Sequence, residues 1–326
     1  MTGEVIPLST FSLEGRAPGT TRQMVMAIEE PPAVLPLIAV TGASPGPVFM
    51  VVAGVHGDEY EGPQAIWRVA QELPPSSLRG TLLMLPICNP WAYAAALRTT
   101  PESIDGLNLA RVFPGDGALH PTRRLAKSLL DFAMRVKPAL FLDLHSGGVR
   151  YRFLQVVGYR LGLGDQERAR AAARVFGLPN LWELKDHAGT FNAETARRDI
   201  LSVGVEMTGI GGCLDEDVDA NRNGILNLLR WLGMLRDRPV VEVPGPFRRT
   251  TEIAAPAEGF VVLRRAVGQS VETHQPVASI VSPFGEPIAE VIAPHVGQVW
   301  VTRHVRRISE GEMVCTIAGT AEDRDR

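Results

Sequence analysis

The sequence predicts an α/β protein: a mixed, mostly parallel sheet with helices on both faces, followed by a smaller all-β sandwich or barrel. Three observations carry this reading. Between residues 47 and 235, short apolar runs alternate with amphipathic helical stretches, the pattern of strands buried on both sides. The runs are followed by polar, chemically competent residues, where open α/β sheets bind ligands. Past Pro239 the helical periodicity stops, and short strands with Gly turns form a pattern that repeats.

Taken in order, residues 1–45 read as β-rich edge structure, with short apolar segments at 5–8 and 33–40 between Gly, Pro and Thr. The apolar runs that follow are 47–52, 81–87, 139–144 and 200–205. Helices are predicted over 64–73, over 123–136, where Leu125, Leu129, Phe132, Ala133 and Val136 share one face, and over 165–176. Another is predicted over 219–235, with a stripe through Ile225, Leu228, Leu232 and Leu235 and with Gly224 blurring its start. The segment 187–196, small and polar, could line a pocket as a loop and reads more readily as a plain connection. From 250 to 318, Ala255-Pro256 and Gly259 recur as Ala293-Pro294 and Gly297, and the run 277–280 recurs as 314–317. Two domains are therefore expected, 1–240 and 241–326.

Composition narrows the function classes. With 45% hydrophobic and 21% charged residues, the chain is of ordinary globular character. A net charge of −3 without a basic cluster argues against nucleic acid or membrane as a partner. Three widely spaced cysteines suit a reducing compartment and no Cys-ligated metal. The N-terminus lacks a basic-then-apolar signal pattern, and no apolar stretch approaches the ~18 residues of a spanning helix. A cytoplasmic location is expected.

The chemistry gathers after the runs. The first is followed by a Gly-flanked turn carrying His56, Asp58 and Glu59; the others lead to Asn89, His145 and Glu206. His56 and a neighbouring carboxylate on a tight loop can converge on one ion, and two His with a Glu are a known zinc ligand set. His145, between an apolar run and Ser146-Gly147-Gly148, is the best-placed second histidine. Asp143, inside the same run, must be paired if buried: it either supports that histidine or faces a helix cap.

The ordered motifs GVHGDEYEG, NPWAYAAALR, DGLNLARVFPG, DLHSGG and VEMTGIGG resemble the succinylglutamate desuccinylase/aspartoacylase family, a branch of the zinc carboxypeptidase-like fold. The look is nearest to bacterial N-acyl amino acid deacylases of about this length, among them the deacetylase of ectoine breakdown. The resemblance spans about residues 50–235. It implies a hydrolase with one Zn2+ per chain that cleaves a small N-acyl amino acid, and often a homo-oligomer. By the same resemblance His56, Glu59 and His145 match the metal ligands, Glu206 the catalytic carboxylate, Arg98 the residue polarising the scissile carbonyl, and Arg111 the one gripping the substrate carboxylate. Ala110 stands where the family usually has an Asn that shares this grip, and Asn108 is the candidate substitute. A shifted substrate follows, or a non-catalytic binding descendant; cleavage of long peptides fits less well. The C-terminal segment resembles biotinyl and lipoyl carrier domains, but no lysine follows Lys185 to hold such a cofactor. It is expected to pack beside the site and narrow its mouth.

Overall fold

The computed structural model describes residues 5–28, 32–117, 119–241 and 244–319. In chain order the elements are β1 (Val5–Pro7), β2 (Thr20–Ile28), β3 (Ala33–Thr41), β4 (Ser44–Val52), α1 (Glu61–Glu72), β5 (Arg79–Leu85), α2 (Pro90–Ala95) and α3 (Pro121–Val136). There follow β6 (Leu140–Ser146), β7 (Tyr151–Phe153), β8 (Val156–Arg160), α4 (Gln166–Phe176), β9 (Asn180–Leu184), α5 (Phe191–Ala196), β10 (Ser202–Met207), α6 (Asp215–Trp231) and β11 (Phe247–Arg248). The C-terminal part is β12 (Thr250–Ala254), β13 (Gly259–Leu263), β14 (Ser270–Val271), β15 (Pro276–Val281), β16 (Pro287–Ile292), β17 (Gly297–Arg303), β18 (Arg307–Ile308) and β19 (Met313–Gly319).

Ten strands form one sheet in the order β1-β2-β3-β5-β4-β6-β10-β8-β9-β11. Six of its nine pairings are parallel and three antiparallel, so it is mixed and mostly parallel, with the N-terminal strands at one edge as their sequence suggested. Each apolar run serves two faces at once because side chains alternate across a strand. Phe49 and Val51 join the core under α1, α4 and α6; Met50 and Val52 join the core under α3 and α5. The five apolar residues of α3 singled out from its periodicity are all buried in that second core. Helix α6 begins at Asp215, four residues ahead of the expected start, because its first turn carries three acidic residues that suit a helix N-terminus. Gly224 lies inside α6, where a Cβ would sit 2.3 Å from the Phe176 ring of α4.

The alternation places the polar groups. On β6 and β10, Leu142, Leu144, Val203 and Val205 face the α1 side. Asp143, His145, Gly204 and Glu206 therefore share the opposite face, with Glu206 directly beside His145 in the parallel register.

The C-terminal strands make two packed sheets around one apolar core. One is β12-β19-β17-β14, to which β7 adds; the other is β16-β15-β13-β18. The sequence repeat maps onto an exchange: each sheet takes two strands from each repeat, and Val261, Val277 and Ile280 meet their counterparts Val299, Val314 and Ile317 in the core. Strands cross the expected boundary near 240 in both directions. β11 closes the large sheet on β9, and β7 pairs with β17. The cysteines are unpaired, and none of the helices described is long and apolar enough to cross a membrane.

Candidate active site

Loop 53–60, between β4 and α1, is folded tightly against the start of α2: a Cβ on Gly57 would lie 2.0 Å from the Ala92 backbone. Only glycine permits this approach. The loop delivers His56 and Glu59, both almost fully buried, to His145 on β6. One donor atom of each of the three lies within 4.8 Å of the others. Glu59 is the hub. Its Oε1 is 2.7 Å from His56 Nδ1 and accepts from Arg98 Nη1 at 2.9 Å, while Oε2 is 3.0 Å from His145 Nδ1 and accepts from the Ser146 N–H.

The far nitrogens decide what the near ones can be. His56 Nε2 is 3.1 Å from Asn108 Oδ1, an oxygen that also accepts the Ala110 N–H, so the proton belongs on Nε2. Asp143 Oδ1 lies at ion-pair distance, 3.1 Å, from His145 Nε2, which likewise favours the proton there. In the neutral rings both Nδ1 atoms then aim lone pairs at a carboxylate, an arrangement that calls for a cation between them. Burial, and then the Arg98 guanidinium, push His56 down to about 4, so it is neutral at physiological pH. For His145 burial opposes protonation, yet Asp143 and Glu59 outweigh it and raise the ring. Burial likewise resists ionisation of Glu59, but the two rings hold it well below the usual carboxylate range. Two imidazoles and a carboxylate, each braced from behind, fit a borderline divalent cation.

Glu206 lies on the same face beside His145. Burial pushes its carboxyl up to about 8, with His145 pulling the other way. A cavity of about 700 Å³ opens over these strand ends, and its wall includes Arg98, Asn108, Ala110 and Arg111. The wall thus brings together all seven residues expected at the site except Glu59, which is buried against His56 and His145. Arg111 is exposed in the cavity wall, and its Nη1 donates to the Ala110 carbonyl. Burial, then Arg98, lower its pKa.

Three expectations need correction. Asn89 does not reach the cavity: it is fully buried, accepts the Ala92 N–H as the cap of α2 and donates to Thr100 Oγ1. Asp58 faces away from the cluster, accepting the Val149 N–H at 3.0 Å. The segment 187–196 is more than a connection, since His187, Thr190 and Asn192 line the cavity and Phe191–Ala196 is helical. Sequence reading also passed over Arg160, the last residue of β8, although Val156–Arg160 reads as a short apolar run ending in a charge. Thr250, Glu252, Met313 and Thr316 of the C-terminal sheets also line the cavity, so that part packs beside the site.

A model of the succinylglutamate desuccinylase/aspartoacylase catalytic domain matches residues 45–232. The chain belongs to this family. It is 28% identical over 309 residues to the N-alpha-acetyl-L-2,4-diaminobutyric acid deacetylase of Halomonas elongata, covering 89% of this chain and 87% of that one. Among solved structures, it matches the product-bound ectoine utilization protein EutE (DoeB) from Ruegeria pomeroyi with a TM-score of 0.84 at 24% identity, covering 95% and 98% of the two chains. A succinylglutamate desuccinylase/aspartoacylase from Rhodobacter sphaeroides matches with a TM-score of 0.79 at 27% identity, over 91% and 94%. The family match runs from β4 to the end of α6 and leaves out β1, β2, β3 and β11 of the large sheet; the two structural matches extend through the C-terminal sheets as well.

Proposed function

We propose that this protein is a zinc-dependent deacylase that hydrolyses the amide bond of a small N-acylated amino acid. The observation that carries the proposal is the convergence of His56, Glu59 and His145 on one point, directly beside Glu206. His56, Glu59 and His145 would hold the ion, which in such a site activates water and polarises a carbonyl oxygen.

The chain's own groups account for the remainder. Glu206, ionised, takes a proton from water as its oxygen adds to the amide carbon, and returns that proton to the amine as the C–N bond breaks. The products are a free carboxylate and a free amine. Arg98, held by Glu59, offers a fixed cation for the charge that develops on the carbonyl oxygen. Arg111 presents a guanidinium fork that suits the substrate's carboxylate. Asn108 spends its Oδ1 on His56 and Ala110, so its part is to orient His56, and only its amide NH₂ is left for a substrate. Ala110, buried in the cavity wall, offers no polar group where the family usually has Asn.

The test is a panel of N-acyl amino acids given to zinc-loaded protein, with Glu206→Gln as control and zinc content measured in parallel. Amine release by the wild type, absent in the variant, supports the reading. Stoichiometric zinc with no hydrolysis favours the binding descendant that Ala110 suggests. No zinc and no hydrolysis removes the proposal.

A further inference from the structure

The two C-terminal sheets are one four-strand unit used twice. Along the sequence repeat, β16 answers β12, β15 answers β19, β13 answers β17 and β18 answers β14, so the orders β16-β15-β13-β18 and β12-β19-β17-β14 correspond strand for strand. The outer face of the β12 sheet is covered. Trp300 and Ala318 are buried there against Val156 and Trp182 of the large sheet, while Thr250, Glu252 and Thr316 line the cavity. In the β16 sheet the equivalent positions are Val262, Val281, Ile288, Glu290 and Ser279.

That second face lies across the sandwich core from the first and so points away from the cavity. Among the described residues nothing covers it. Phe260 is 44% exposed, Val262 50%, Ile288 49% and Ile292 44%. The alternation along each strand explains why they share a side: Val261 and Val291 turn into the sandwich core, and their neighbours turn out. One exposed apolar side chain is ordinary, but four on one sheet face mark an interaction site.

Charge says what this face fits. Arg264 Nη2 and Glu290 Oε1 lie 3.6 Å apart on it, both about half exposed, and Arg264 Nε donates to Ser279 Oγ between them at 2.8 Å. Arg307 stands at the β18 rim, opposite Phe260. A face with one cation and one anion in an apolar field is complementary to itself about a twofold axis. Each Arg264 then meets Glu290 of the other copy, and no net charge is buried.

We infer that the outer face of the β16-β15-β13-β18 sheet seats a second copy of this chain, with the two sandwiches stacked sheet on sheet about a twofold axis. Phe260, Val262, Ile288 and Ile292 form the dry centre of the contact, and Arg307 belongs to its polar rim. Both cavities stay open on the far sides of the dimer.

The test is sedimentation equilibrium of the full chain over a dilution series. The wild type is expected to be a dimer that dissociates on dilution. Val262→Asp and Ile288→Asp each put an unpaired charge in the centre and should weaken association by roughly 30-fold or more, the loss expected of a central interface residue. Melting curves check that both variants fold. Arg264→Glu and Glu290→Arg should each weaken association by several-fold, and the double reversal should restore it. A wild type that is monomeric at every concentration overturns the inference and leaves the face to a different protein. A dimer indifferent to both aspartates overturns it as well, because the contact then lies elsewhere. A double reversal that associates no better than the single ones overturns the twofold pairing of Arg264 with Glu290. The readout is mass rather than turnover, so failure here is separate from failure of the deacylase reading.

Discussion

The two sides of the cavity are built on opposite rules. On the metal side the three candidate ligands answer one another: Glu59 meets four donors or ring nitrogens, and His56 and His145 are each braced from behind by Asn108 and Asp143. On the opposite side Arg111 and Arg160 face open space with only carbonyl and amide oxygens for company. The first side is closed and preorganised, which suits an ion and a reaction that tolerate little misplacement. The second is held in direction but left unpaired, which suits a ligand that arrives with its own charges. The contrast locates chemistry on one side and selection on the other, and it can be broken from either.

The largest effect is expected on the closed side. Glu206→Gln keeps the shape of the strand end but cannot carry a proton, so kcat should fall by about 10²- to 10⁴-fold while zinc content stays as in the wild type. Loss of zinc together with activity would mean that Glu206 is part of the ion's cage. A smaller effect is expected one layer out. Asp143→Asn leaves His145 in place but weakens the group that orients it, and the affinity for zinc should drop by about 10- to 100-fold. Competition with a chelator measures this; an unchanged affinity would make Asp143 a mere buried ion-pair partner.

On the open side, Gly204→Ala probes whether the wall is aimed or merely present. The added methyl must push Asn192 Nδ2 away from a 2.5 Å approach, and with it the oxygen that holds Arg160. The kcat/KM for the best substrate of the N-acyl panel should fall by a few-fold, on the order of the 1 kcal/mol that one hydrogen bond contributes. Zinc affinity should not change. A shift in zinc affinity with no shift in kcat/KM would show that the two sides are not independent.

The same division explains what could be read from the sequence. The metal side sits on strand ends and one tight loop, so apolar runs followed by His56, His145 and Glu206 announced it directly. The period-2 alternation within those runs even put Asp143 beside His145 on one face. Asn89 had the same signature and turned inward, because a strand end followed by Pro90 is also how a helix cap begins. The open side comes from places far apart in the chain, among them the 108–111 segment, the end of β8, residues 187–192, β12 and β19. None of these has a local pattern that separates a cavity arginine from a surface one. The strand exchange that brings β7 and β11 across the two halves is tertiary and leaves no trace in local periodicity.

The smallest effect tests how dry the boundary between the two sides is. Burial raises Glu206 to about 8, above the 4.5 of a free carboxyl. In chelator-treated protein the native state therefore holds a proton on Glu206 across a window in which the unfolded chain has lost it. Stability contributed by the neutral form is fully present below pH 4.5 and is lost as pH rises toward 8. A glutamine in its place does not titrate. Glu206→Gln should thus melt progressively higher than wild type as pH rises from about 5 to 8, and the gain should level off above the folded value. Each 1 kcal/mol corresponds to roughly 2–4 °C in a domain of 150–250 residues, so the shift is within reach of a melting series in zinc-free buffer. A difference that stays flat with pH would mean that Glu206 titrates as a solvated group; the cavity floor would then be wet, and the charge that Arg160 holds would be screened by water before any substrate reaches it.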